Sequence, residues 1–92
     1  MDGRQNLNSM TIEQVAEYLD DVLGEADMCC MDTTARLYLD NDTSIEASYD
    51  SNYECFCWSN GTTGYDSLNE MIDNIVGYIV DHGLEVKDVD EV

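Results

Sequence analysis

The sequence predicts an α+β domain of order α-β-β-β-α: a three-stranded antiparallel meander with two helices packed on one face. Three observations carry this. Two segments, one near each end, space their apolar residues as helices do. The segments between them alternate apolar and polar residues, as half-buried strands do. The turns joining those strands are too short for a crossover, so the pairing is antiparallel.

The first helix starts at Ser9 or Thr11, with Glu13 or Gln14 placed to reach back to the cap. Ile12, Val15, Ala16, Leu19, Val22 and Leu23 share one face of it, and Glu13, Glu17, Asp20 and Asp21 the opposite one. Gly24 is the expected stop. In Thr34 to Leu39, the residues Ala35, Leu37 and Leu39 point one way, Arg36 and Tyr38 the other. Asp40-Asn41-Asp42 is a turn. From Ser44 to Tyr49, the inward residues are Ile45, Ala47 and Tyr49, the outward ones Glu46 and Ser48. Asp50-Ser51-Asn52 turns again into an aromatic and cysteine-rich strand, Tyr53 to Ser59. The loop from Asn60 to Tyr65 leads to a second helix capped by Asp66 or Ser67 and ended by Gly83. Its apolar stripe is Leu68, Met71, Ile72, Ile75, Val76 and Ile79, with Asp66, Glu70, Asp73, Gly77 and Asp81 on the far side. The tail from Leu84 is either a short edge strand or a mobile end.

Residues 1–92 are read as one domain, with a core over about 9–83 and polar or acidic ends at 1–8 and 84–92. There is no proline, internal repeat or linker. Hydrophobic residues form 43% of the chain, too many for a disordered acidic tail.

Charge dominates the composition. Against 21 acidic residues stand only Arg4, Arg36 and Lys87, for a formal net charge of −18. Solubility of a small domain needs a magnitude of only ~2–8, and a larger excess destabilises the compact state by self-repulsion. Direct nucleic-acid binding is excluded, since phosphates need Lys and Arg. Anionic membranes are disfavoured likewise. Neither a secretory signal nor a membrane-spanning run is evident, so the expected compartment is the cytoplasm of a host cell.

Cys29, Cys30, Cys55 and Cys57 read first as free, partly buried thiols. A disulfide is the next reading, and a four-thiolate zinc site the last, because Cys-Cys and Cys-x-Cys depart from the usual ligand spacing. No cofactor and no metal is expected. His82, the single histidine, falls in the last helical turn, where the helix dipole favours it. Asn60-Gly61-Thr62-Thr63-Gly64 lacks the lysine of a phosphate-binding loop. Asp40-x-Asp42-x-Ser44 imitates the start of a calcium loop, but Ile45 stands at the glycine position and Ser51 at the glutamate position. No catalytic constellation emerges, and the chain is read as a non-enzyme.

What remains is the acidic surface. Carboxylates one helical turn apart lie ~5–6 Å from each other. A nucleic-acid strand carries a phosphate per ~3.4 Å of axis. A rigid carboxylate row can therefore occupy a groove built for a phosphate backbone, steered there by long-range attraction. Tyr38, Tyr53 and Tyr65 are candidate surface aromatics, suited to stacking on arginine. In size, charge and α/β make-up the chain resembles the small acidic phage and plasmid proteins that block host defence, the anti-CRISPR and antirestriction nucleic-acid mimics. The resemblance rests on composition and element order and carries over no residues. It implies inhibition of a basic nuclease by occupation of its DNA or guide-RNA site.

The expected partner is thus a basic nucleic-acid-binding protein, a nuclease or its complex. The competing readings are an acidic adaptor or immunity protein without mimicry, and an ordinary halophile domain. Four cysteines and seven asparagines make the latter less natural. Two acidic faces compete for the partner. One is Glu13, Glu17, Asp20 and Asp21 on the first helix. The other is an edge merging Asp40, Asp42, Asp66, Glu70 and Asp73 beside Tyr65, and it is the preferred one. It assumes that the Asp40 turn and the start of the second helix emerge at the same end of the sheet.

Overall fold

The computed structural model describes residues 9–61 and 64–91. The polar start with Arg4, the Thr62-Thr63 step of the loop and Val92 lie outside the described residues. The chain folds as α1 (Ile12–Cys29), β1 (Thr33–Leu39), β2 (Ser44–Asp50), β3 (Cys55–Trp58), α2 (Leu68–Asp81) and β4 (Val86–Glu91). The four strands form one antiparallel sheet in the order β3-β2-β1-β4.

Thr11 opens α1 with a full capping box. Its hydroxyl accepts from the Gln14 N–H, and the Gln14 side chain accepts from the Thr11 N–H. The expected stop at Gly24 is overturned: the helix runs through it and ends at Cys30, in a left-handed conformation with φ 55°. The apolar spacing explains this, because Leu19, Leu23 and Ala26 continue one buried face past the glycine. Gly24 lies where the helices approach, and a Cβ there would sit 3.8 Å from Leu68.

Alternation in β1 and β2 is as the sequence indicates. Ala35, Leu37, Leu39, Ile45, Ala47 and Tyr49 are buried, and their neighbours face outward. The third strand is shorter than expected. Tyr53 and Glu54 belong to the turn, with Glu54 at φ 52°, which keeps them out of the ladder.

The tail takes the edge-strand alternative, beside β1, so the sheet has a fourth strand beyond the expected three-stranded meander. Its sequence is mostly charged, and only Val86 and Val89 turn to the core. Such a strand is held by its partner's backbone rather than by its own periodicity, and its charges suit an edge.

Ser67 caps α2, and Gly83 at φ 62° closes it. The inner sheet face and the buried stripes of both helices form a single core cluster. Leu19, Leu23, Leu37, Ile45, Met71 and Ile75 are among its fully buried members. Each such side chain stabilises the fold by roughly 1.5–3 kcal/mol of removed apolar surface. Every buried side chain among the described residues is hydrophobic, and none of the described carboxylates is buried. No described helix is long and apolar enough to cross a membrane.

Candidate functional site

Two hydrogen-bond sets fix where the acidic residues fall. The Asp40 turn is tied to the start of β4: the Asp40 N–H donates to the Glu85 carbonyl at 3.0 Å, and the Glu85 N–H donates to Asp40 Oδ1 at 3.2 Å. Glu85 follows the C-terminus of α2, so the Asp40 turn meets the end of that helix. At Tyr65 the chain has already doubled back. Tyr65 and Phe56 exchange backbone hydrogen bonds at 2.7 and 2.8 Å as an antiparallel bridge. The loop therefore runs down the flank of β3 before α2 begins.

Asp66 consequently lies by Cys55 and Asp50, at the opposite end of the sheet from Asp40. The single edge expected from Asp40, Asp42, Asp66, Glu70 and Asp73 does not form. Asp40 and Asp42 are at one end. Asp66 and Glu70 are at the other, and Asp73 is a turn further along α2. Tyr65 is half-buried beside Phe56, as is Tyr38 on the outer sheet face, while Tyr53 is 79% exposed.

The structure instead assembles a broader acidic face. The two helices pack against each other on the same side of the sheet, and the connections make them antiparallel. The exposed side of α1 carries Glu13, Glu17, Asp20, Asp21 and Glu25; that of α2 carries Glu70, Asp73 and Asp81. Neither helix contains a lysine or an arginine. Glu25 is outside the expected set, because a stop at Gly24 hides it. The apolar spacing through Ala26 is the signal that could have found it.

The acidic excess also opposes local stability. Asp27 and Asp81 sit in the last turns of the helices, where the dipole disfavours negative charge by ~0.3–1 kcal/mol each at an exposed site. At the end of α2, His82 partly answers this. Its Nδ1 lies 2.9 Å from the Tyr78 carbonyl, and its ring stacks on Tyr78 at 4.1 Å. At the end of α1, Asp27 lies beside the phenol of Tyr49. Burial, then the Asp27 charge, push that phenol above its ordinary range.

On the flank of α2 toward β3, a shallow cleft of about 460 Å³ is bounded by Trp58, Asp73, Gly77, Tyr78 and Asp81. The Trp58 indole meets Tyr78 edge-on at 5.7 Å.

Elsewhere the polar groups serve the fold. Asn41 Oδ1 accepts from the backbone and hydroxyl of Thr43, an Asx turn between strands rather than a calcium loop between helices. Cys55 and Cys57 share the outer face of β3, half-buried, and Cys29 and Cys30 are exposed. Burial raises the Cys55 thiol above its ordinary range, aided by Cys57 and the charges of Asp50 and Asp66. No group of three or more His, Cys, Asp or Glu among the described residues is placed to hold a metal.

No protein-family model, curated protein or solved structure matches the chain.

Proposed function

We propose that this chain is an acidic nucleic-acid mimic that blocks the DNA- or RNA-binding site of a basic protein, of the kind a host-defence nuclease presents. The observation that carries this reading is the pair of antiparallel carboxylate rows. Two packed helices carry these rows on one side of the sheet, as a duplex carries its negative charge on two phosphate strands. Along α1, and between Glu70 and Asp73 of α2, the carboxylates recur at intervals below the Debye length of ~8 Å at physiological salt, so their fields add. The helices are held by a packed core, so the array is ordered before it binds.

The primary contacts are Glu13, Glu17, Asp20, Asp21 and Glu25 of α1 with Glu70 and Asp73 of α2. Asp40, Asp42 and Asp66 act through the long-range field. The partner is basic and loses nucleic acid when this chain binds.

The test is capture from host lysate on the immobilised chain, with and without competing duplex DNA. Mimicry requires that DNA displaces the captured nuclease. It also requires that Glu17→Lys with Asp21→Lys abolishes capture, while Asp40→Lys with Asp42→Lys weakens it less. A partner that stays bound under excess DNA is held elsewhere, and points to an adaptor without mimicry.

A further inference from the structure

Among the described residues five large apolar side chains are exposed, and three belong to segments that meet at one end of the molecule. Met28, 86% exposed, is in the last turn of α1 and lines a shallow cleft there with Asp20, Asp21 and Glu25; Met31, 61% exposed, follows the helix, and Tyr53, 79% exposed, stands in the β2–β3 turn. The antiparallel register places that turn and the start of β1 at the same sheet end. The two loops are joined there. The Ser51 N–H donates to Asp32 Oδ1 at 2.7 Å, and Tyr49, at the end of β2, lies beside Asp27 of α1.

Single exposed methionines need no explanation, but three large exposed apolar side chains on adjoining segments do. This set is framed by carboxylates: Asp27 and Asp32 flank the two methionines in sequence, and Glu54 follows Tyr53. The loops are also ordered. The Met31 N–H returns to the Ala26 carbonyl at 3.0 Å, and Asp50 Oδ1 accepts from the Asn52 N–H at 2.8 Å. Both loops hold a non-glycine residue in the left-handed region, Cys30 and Glu54.

We infer that this end is a second, apolar contact with the same basic partner, in which Met28, Met31 and Tyr53 enter an apolar depression rimmed by Lys or Arg. Charge complementarity selects that occupant. A second copy of this chain would oppose carboxylate to carboxylate, and a bare apolar surface would leave the rim unpaired. Tyrosine is enriched among residues that dominate binding energy, and methionine adapts its shape to a partner. The helical face supplies attraction that any polycation shares; the apolar end supplies selectivity and resistance to salt.

This inference rests on the partner being basic, and its test separates the two ideas. The probes are two peptides of equal charge, an oligo-arginine and one interleaving arginine with leucine, titrated into the full chain carrying labelled methionine methyls. The expected result is that only the mixed peptide shifts the Met28 and Met31 methyls. It should stay bound at about 0.5 M salt, where screening releases oligo-arginine. Met28→Ser with Met31→Ser should cost the mixed peptide about tenfold in affinity, ~1.4 kcal/mol, and leave oligo-arginine unaffected. Both sites are exposed, and circular dichroism checks that the variant is folded. Equal affinity of the two peptides, or methyl shifts that follow protein concentration alone, would overturn the inference and leave the acidic face untouched. Methyl shifts with the mixed peptide, without any binding of oligo-arginine to the helices, would uphold it and count against the mimic.

Discussion

Arg36 on β1 holds Glu46 on β2 through one carboxylate oxygen, Nε donating to Oε2 at 3.0 Å and Nη2 to the same atom at 2.6 Å. It is the one side-chain ion pair among the described residues, and it lies on the sheet face away from the helices. On its other side the register sets Arg36 opposite Asp90 of β4. The cation's hydrogen bonds, however, all go to Glu46 and the Tyr38 hydroxyl.

Arg36→Gln should therefore lower stability slightly, and only at low ionic strength. The two side chains are 31% and 48% exposed, so screening should shrink the loss in high salt. Urea titrations at two salt concentrations measure it. A loss indifferent to salt would assign it to packing of the arginine stem.

Asp32 gives a pH prediction. The Ser51 backbone N–H, donating to its carboxylate, holds Asp32 below its ordinary value of 3.8. A carboxyl depressed by folding adds stability above 3.8, and that stability is lost as pH falls through the folded value. The urea midpoint of the native chain, taken relative to Asp32→Asn, should fall as pH drops below about 3.8. A difference that is constant with pH would show that the hydrogen bond matters equally in both protonation states.

Gly77 sits inside α2 with nothing within 4 Å of where its Cβ would be. Gly77→Ala should therefore stabilise the chain by ~0.8–1.0 kcal/mol, raising the thermal midpoint by roughly 4–8 °C per kcal/mol in a domain this size. A drop would mean that the helix needs its glycine for a bend.

The thiols should divide by environment. Cys29 and Cys30 are exposed, whereas Cys55 is half-buried and its thiol is raised by burial, Cys57 and nearby carboxylates. Since the thiolate is the nucleophile, alkylation near pH 8, followed by mass spectrometry, should label Cys29 and Cys30 first and Cys55 last. Early labelling of Cys55 would show that the flank of β3 opens readily.

Local pattern alone determined much of this protein. The Thr11 box, the Ser67 cap and the Gly83 stop depend on neighbours a few residues apart. So does the alternation of Ala35, Leu37 and Leu39 against Arg36 and Tyr38. Each is set by helix or strand periodicity, which the sequence carries directly. The excess of carboxylates was equally plain. Which carboxylates share a surface was not legible, because contacts between residues distant in the chain decide it. The Phe56–Tyr65 bridge sends Asp66 away from Asp40, and the Asp40–Glu85 hydrogen bonds bind that turn to the tail instead. The tail becomes β4 only because β1 offers it an open row of backbone donors and acceptors, which no periodicity in its own charged sequence announces. The juxtaposition of α1 and α2, and with it the paired acidic rows, follows from both helices burying their stripes on the same side of one sheet.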